Sequence, residues 1–509
     1  MSAGNSGTAE MPAPGDIADV VVVGGGPGGC AAALEAARAG ASVVLLEALT
    51  TLGGNAARST GYMAFADFEA QRAAGISDSP DDYLADMVAE AQLHQERYGV
   101  IFDTALAGRY AEESADAYRF LVDLGFRFGR FVPRPRQHTI DRMMDVTDVS
   151  SFGTLFAAAL TGAGVEVRYG VRARRLHTDS GRVTGVEWEP AGNGGEGDGA
   201  DPRPELLEAG QGVILAAGGY QANHALRSRY QPGYLAGTPY LGVDTDRGDG
   251  HLMGQAIGGD LINMTMIPPL VMVASALVED SIAVDSTGRR FGDEAGPYDE
   301  RVVALEGVSE RRAFYVFDDR VHRLRRDLIE QMPEPAVGAP TIAELAGLIG
   351  CPPDALAATL DEWNATVASG TERDPAFGRV VFGKSRLPIA QPPLWASPMV
   401  VGINFPAGGF RVSLDCEVFD TFGDVIGGLF AVGDCVGGIA PAIGLGGVKI
   451  SSAVTLGRIA GRAAAAGGGR VPPATGPAVQ APVDPVATAD TPDAPTAGGG
   501  SGQRIPIVG

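Results

Sequence analysis

Three glycines, Gly24, Gly26 and Gly29, stand in G-x-G-x-x-G spacing between the apolar run ADVVVV and the helix-forming run CAAALEAARAG. Placed there, the first permits a tight turn, the second lets a diphosphate approach the backbone, and the third lets helix and strand pack closely. The unpaired N–H groups and partial positive charge at the start of a helix would hold that anion. Glu47 closes the next apolar run, ASVVLLE, where a carboxylate would accept both ribose hydroxyls and disfavour a 2′-phosphate. The glycines alone say little; joined to strand, helix, strand and terminal acid they form a dinucleotide site.

Three further blocks choose between a nicotinamide and a flavin. LGGNAARSTG at 52–61 adds Gly53, Gly54, Asn55, Ser59, Thr60 and Gly61 just after the acid. A nicotinamide has no particular need of such a loop, whereas the longer ribityl chain of a flavin does. VILAAGG, with Ala217 and Gly218, and GLFAVGD, with Asp434, each end a strand on small residues, the aspartate suited to a ribityl hydroxyl or a contact on the pyrophosphate side. PAIGLGGVK at 441–449 is a second glycine turn that opens a helix.

The elements that must position these residues read as an α/β chain. ADVVVVGGG (18–26), ASVVLLE (41–47), GVILAAGGY (212–220) and GLFAVGD (428–434) have the β-branched, non-alternating character of parallel strands buried on both faces. Residues 79–128 are helical, with a capped start at SPDDYLADM, and 165–188 read as strands around a DSG turn. Residues 191–204 form a solvated hairpin loop. GGVKISSAVTLGRIAGRAAAA forms a long helix whose Gly457 and Gly461 suit close packing on a sheet. The domain reading is a Rossmann-like FAD-binding domain from 17–235 and 400–466, a doubly wound parallel sheet, interrupted by an inserted α+β capping domain at 236–399. Residues 1–16 and the Pro/Ala/Gly-rich 467–509 are expected to be disordered tails, since neither could bury enough apolar surface to offset chain entropy.

Composition excludes several classes. A net charge of −23 argues against a nucleic-acid surface. Cys30, Cys351, Cys416 and Cys435 form no C-x-x-C pair, so no metal or disulfide chemistry is expected. The first residues lack the basic and apolar regions of a signal peptide, and no apolar run could span a bilayer, so the expectation is a cytoplasmic protein with no membrane partner.

The order of five blocks resembles the fumarate reductase/succinate dehydrogenase flavoprotein family, in the soluble branch that includes 3-ketosteroid dehydrogenases. They are VVVVGGGPGGCAAALEAARAG, LEALTTLGGNAARSTG, VILAAGGY, GRRFGDEAGPY and GLFAVGDCVGG…GLGGVKISSAVTLGRIAG, within about 18–466. The resemblance implies FAD, an oxidoreductase using CH–CH or C=C donors and acceptors, and hydride exchange at flavin N5. It also places Pro27, Ala173, Leu445, Gly446, Val448 and Ile450 along the cofactor. Backbone N–H groups near Gly446, Gly447 and Val448 would meet the N1/C2=O edge, where negative charge gathers on reduction. No histidine precedes His94, so the FAD is expected to be noncovalent. Lys449 either adds positive charge at that edge or packs its stem with its charge in solvent.

The chain departs from the resemblance where substrate binds. Fumarate reductases carry an arginine where this chain aligns Gly444, a histidine where it has Asn404 and Phe405, another within the stretch MIPPLVM, and a proton-donating arginine near Tyr298. In their place stand Met264, Met266, Ile267, Leu270, Phe405 and Ile443, which fit a mainly apolar, carbonyl-bearing small molecule better than a dicarboxylate. Tyr298 matches a general-base tyrosine of ketosteroid dehydrogenases, whose second tyrosine aligns near Ile443. The expected catalytic set is Tyr298 for the α-proton, with Gly444 and Gly447 polarising the carbonyl through the turn. Arg134, Arg136, His138 and Arg142 bind a carboxylate or, preferably, form a solvated basic face, and His251 is either a proton carrier or an ordinary core residue. The electron donor or acceptor is unidentified. The alternatives are a flavin enzyme working on a C–N or C–O bond, and a non-catalytic FAD-binding or redox-sensing protein.

Overall fold

Residues 16–467 are described by a computed structural model, apart from 136, 192–203, 232–236, 241, 267–268, 273–276, 331, 384–385, 404–405 and 440–444. The side chains of 94, 97–98, 269–272, 298–299 and 327–328 also fall outside the description. The expected tails and the 191–204 loop therefore lie almost wholly outside the described residues.

The first nine strands are β1 (Ile17–Val23), β2 (Val43–Glu47), β3 (Tyr62–Ala64), β4 (Phe128–Phe131), β5 (Met143–Val146), β6 (Glu166–Tyr169), β7 (Val171–Asp179), β8 (Arg182–Pro190) and β9 (Glu205–Leu215). The non-alternating runs become the parallel part of an eight-stranded sheet. β6, β2, β1, β9 and the late strand Val425–Ala431 lie side by side, with Val21 opposite both Val44 and Val213, and Phe430 opposite Ile214. Burial on both faces explains the lack of alternation: Val20, Val21, Val22, Val213, Ile214, Leu429 and Phe430 are all inaccessible. β7 and β8 join antiparallel around Ser180 and Gly181, both at positive φ, as the DSG signal requires. β9 begins earlier than its apolar run because residues 205–208 pair with β8.

The helix Pro27–Arg38 begins at Gly26 and runs along the last helix, Val448–Ala465. Gly457 and Gly461 make this approach possible, but their partner is a helix and not the sheet. A Cβ at Gly457 would stand 2.2 Å from the Gly28 carbonyl oxygen, and one at Gly461 2.2 Å from that of Ala32. The expected helical stretch 79–128 is two helices, Pro80–Tyr98 and Thr104–Asp123, parted at Gly99 with φ +65°. Their N-caps are side chains: Ser79 Oγ accepts from Asp82 N at 3.1 Å and Asp103 Oδ1 from Leu106 N at 2.9 Å.

Between the two parts of the large sheet the chain builds a four-stranded antiparallel sheet, ordered Ile282–Asp285, Ala313–Asp318, Leu394–Pro398, Val337–Ala339. The helices Ile342–Ile349 and Pro353–Ala368 cover it, enclosing an apolar core that includes Val316, Leu345, Leu356 and Trp363. A third sheet, β3–β5–β4, lies beside the start of the last helix, where Ala64 N donates to Gly447 O at 3.2 Å.

Candidate active site

A cleft of about 350 Å³ opens at the C-terminal ends of β1, β9 and Val425–Ala431. Of the expected cofactor residues, Gly24, Gly26, Pro27, Gly29, Glu47, Gly54, Asn55, Ser59, Thr60, Ala173, Ala217, Gly218, Asp434, Leu445, Gly446 and Ile450 line it. Gly53, Gly61 and Val448 are not among its lining residues. Gly53 instead ties the second loop to the first by donating its N–H to Gly25 O at 2.9 Å. Gly447 lines the cleft, Gly444 lies outside the described residues, and Tyr298 opens the helix Tyr298–Glu306 with its side chain outside the description.

The geometry fits a diphosphate. A Cβ at Gly29 would stand 1.9 Å from Gly24 O, so helix and strand touch there, whereas a Cβ at Gly26 would meet nothing within 4 Å and opens on the cleft. The N-terminus of the helix Pro27–Arg38 is thus accessible to an anion. Glu47 is buried at the end of β2, accepting from Gly25 N at 2.6 Å and Leu49 N at 2.7 Å. Burial raises its pKa, opposed by those N–H groups, and each oxygen keeps a lone pair for a hydroxyl.

Midway along the cleft, Asn55 Nδ2 donates to Asp246 Oδ2 at 2.6 Å while its carbonyl oxygen accepts from Val243 N at 2.9 Å, and Tyr240 donates to the same Asp246 oxygen at 2.5 Å. Burial pushes the Asp246 carboxyl up to about 7, Asp434 and Glu47 adding to the shift and the two hydrogen bonds opposing it. Gly218 sits against this carboxylate, with room for no Cβ. Asp434 is itself paired: Lys449 Nζ lies 3.0 Å from its Oδ1 and donates to Pro406 O at 2.6 Å. Lys449 therefore neither faces solvent freely nor stands as an isolated charge at the flavin edge; it neutralises Asp434.

At the far end, the turn 445–447 is held from several sides. Gly447, at φ +83°, leaves a Cβ only 2.7 Å from Ala64 N, a position only glycine fills. Its carbonyl accepts from Ala64 N and from Ser451 Oγ at 2.7 Å, and Ser451 continues through Tyr110 at 2.6 Å to Tyr83 at 2.8 Å. The Gly446 N–H, expected to face a flavin, is donated instead to Gln137 Oε1 at 3.2 Å. The Gly446 carbonyl accepts from His138 Nε2 at 2.9 Å. The N–H groups of Gly447 and Val448 have no partner among the described residues.

The basic segment 133–142 is not a solvated face. His138 is 3% exposed and Arg142 0%. Arg142 reaches Asp78 at 2.8 and 2.9 Å and pairs with Asp86, carboxylates supplied by the helix Pro80–Tyr98 and its approach, and it covers the Tyr83 ring at 4.9 Å. Arg134 lines the cleft, and Arg136 lies outside the described residues. His251 is a core residue away from the cleft, near-parallel to Phe410 at 6.0 Å, its pKa lowered to about 4 by burial. Cys435 is likewise buried, its thiol pushed up to about 12.

Of the expected apolar wall, Met264 packs with Tyr220, Leu226 and Ile403, and Met266 with Val100 and Ala407; neither lines the cleft. Ile267, Phe405 and Ile443 fall outside the described residues, as does the Leu270 side chain. Beside the turn the cleft is lined by Tyr62, Val278, Ala295, Gly296, Arg134, Gln137 and Arg301. Sequence reasoning named neither Tyr62, Gln137, Asp246 nor Arg301. The only available signal was Arg301 standing three residues, one helical turn, after Tyr298.

Among the described residues no cluster of three or more His, Cys, Asp or Glu could hold a metal ion, and no helix is long and apolar enough to cross a membrane. The family described as FAD binding domain matches residues 19–450. This chain belongs to that family. FAD is its cofactor, and the chain is an FAD-dependent oxidoreductase. It is similar to the NADH:fumarate oxidoreductase of Klebsiella pneumoniae (strain 342), 28% identical over 88% of this chain and 47% of that one, so it spans about half of that relative. It is similar to the fumarate reductase (cytochrome) of Shewanella frigidimarina, 29% identical over 89% of this chain and 78% of the relative. Among solved structures it resembles the 3-ketosteroid-Δ4-(5α)-dehydrogenase of Rhodococcus jostii RHA1 in complex with 4-androstene-3,17-dione, with TM-score 0.61, 26% identity, and 88% and 97% of the two chains covered.

Proposed function

We propose that this FAD-dependent oxidoreductase forms or removes a C=C bond beside the carbonyl of a mainly apolar small molecule, exchanging electrons with a donor or acceptor of its own. The relatives support the bond: fumarate and the androstenedione-type enone differ in size and charge, yet both present a C=C conjugated to a carbonyl. The observation that carries the reading is the make-up of the cleft beside the 445–447 turn. Val278, Ala295 and Leu445 there are buried and apolar, while Tyr62, Arg134, Gln137 and Arg301, the last 7% exposed and one turn along the helix that Tyr298 opens, supply the polar groups that would meet a carbonyl.

Bound FAD supplies a two-electron hydride acceptor or donor at its N5 atom. The chain's residues do the rest. Gly24, Gly26 and Gly29 with the helix start hold the diphosphate, and Glu47 a ribose. Tyr298 takes up or returns the substrate α-proton. Its unperturbed pKa of about 10 makes it a weak base alone. Arg301, which lines the cleft, polarises the carbonyl, and the segment 236–399 closes over the substrate as a cap.

Anaerobic titration of the FAD-loaded protein with steroids, cyclic ketones, enoates and amines tests the reading. Support is bleaching of the flavin by a saturated ketone or acid, or reoxidation of reduced flavin by the unsaturated partner, one mole for one. Bleaching by amines or alcohols alone, with hydrogen peroxide released in air, would assign it to C–N or C–O chemistry instead.

A further inference from the structure

Gln137 and His138 are consecutive, yet they grip the two opposite groups of residue Gly446, more than three hundred positions away: Gln137 Oε1 takes its N–H at 3.2 Å and His138 Nε2 gives to its carbonyl at 2.9 Å. His138 is buried, and burial lowers its pKa to about 4, so its ring is neutral at ordinary pH. Donating from Nε2 then fixes the tautomer with Nδ1 bare, and Nδ1 is buried without a partner. Nothing is left for this histidine to do but hold that carbonyl. The segment cannot drift, because Arg142, four residues on, is locked between Asp78 and Asp86.

The grip decides which backbone groups of the turn meet the cleft. With both groups of Gly446 engaged and the Gly447 carbonyl bonded to Ala64 and Ser451, the N–H groups of Gly447 and Val448 are those left over, and of the two residues Gly447 lines the cleft. They open the last helix, whose N-terminal dipole points the same way. We propose that Gln137 and His138 are positioning residues of the flavin site: by fixing the peptides on either side of Gly446 they keep the Gly446 carbonyl away from the ring and present the Gly447 N–H to the ring edge that becomes negative on reduction. The inference rests on FAD occupying this cleft with its ring at the turn. A peptide freed to rotate would turn a carbonyl oxygen toward the same place and oppose the charge that the N–H groups favour.

Sulfite reports this without any knowledge of the substrate, since it adds to oxidised flavin at N5 and leaves negative charge on the N1–C2=O side. The measurements are the sulfite dissociation constant and the two-electron midpoint potential of the FAD-loaded protein, with the FAD dissociation constant of the apoprotein beside them. His138→Phe, which keeps a ring of similar size and loses the bond to Gly446, should weaken sulfite binding by roughly tenfold or more, less than the roughly hundredfold for a deleted preorganised donor because the donor is loosened and not removed, and lower the potential. His138→Gln restores an N–H donor and should recover most of both. Gln137→Leu, at a half-buried site, should shift both in the same direction. Sulfite affinity unchanged within twofold together with an unshifted potential in His138→Phe and Gln137→Leu overturns the positioning role while leaving the flavin reading intact. Failure of the wild-type protein to bind FAD overturns both.

Discussion

Replacing Gly457 by alanine tests how firmly the diphosphate end is built. The new methyl would stand 2.2 Å from Gly28 O, and ordinary contact begins at 3.4 Å, so the last helix and the helix Pro27–Arg38 must part by about 1.2 Å. Overpacking of this kind costs about 1–3 kcal/mol. Gly28 belongs to the first turn of that helix, so the displacement falls on the N–H groups that face the cleft. A misplacement near 1 Å there should weaken FAD binding by roughly tenfold, equivalent to about 1.4 kcal/mol. Gly461→Ala is the matched control: the same 2.2 Å clash, but against Ala32 O, one turn further from the diphosphate. Both variants should lose a similar amount of stability in urea unfolding of the apoprotein, and only Gly457→Ala should lose substantial affinity in a flavin fluorescence-quenching titration. Equal FAD affinity in the two variants would show that the helix contact is not transmitted to the binding turn.

Arg142→Met strips two buried carboxylates, Asp78 and Asp86, of their cationic partner, and should destabilise the protein by about 3–5 kcal/mol in urea unfolding; a loss below about 1 kcal/mol would mean that the hydrogen bonds they accept from Gln71, Ser79 and Thr139 suffice. Asp246 stays protonated to about pH 7 when folded but ionises near 3.8 when unfolded, so its contribution to apoprotein stability is whole below pH 4 and declines as pH rises to 7. Asp246→Asn has no such decline, so between pH 4.5 and 7.5 its stability relative to wild type should improve; a constant difference would place the carboxyl's pKa near its ordinary value. Tyr298→Phe should slow steady-state turnover by roughly a hundredfold or more, and near-normal turnover would remove the tyrosine from the proton transfer.

The parallel sheet was legible because strands covered on both faces must be apolar without alternation, and ADVVVV and VILAAGG say so within a few residues. The glycine turn at 24–29 was legible for the same local reason: turn, anion and helix start are all written in one short stretch. What escaped was whatever depends on distant partners. PRPRQHTIDR looks like a solvated face because its charges are mostly positive, three arginines against Asp141; the carboxylates that bury Arg142 arrive from Asp78 and Asp86, some sixty residues earlier. Gly457 and Gly461 announced a close contact but not with what, since a carbonyl oxygen of another helix leaves no mark on side-chain pattern. The grip on Gly446 had no signal, as a glutamine and a histidine in an irregular segment have no periodicity to read. The apolar wall at 264–270 was inferred from aligned positions, and Met264 and Met266 are in fact spent on small clusters of their own.

The strand Val425–Ala431 pairs directly with β9, although some two hundred residues separate them along the chain. A polypeptide emerging from the ribosome therefore exposes one long flank of its largest sheet until Ala431 has been made, and the helix Val448–Ala465, which braces the nucleotide-binding end, arrives later still. Because residues of 24–29 and of 434–450 contribute to one cleft, coenzyme loading should wait for that helix, and a nascent chain stalled short of it should be apo and prey to proteases and self-association.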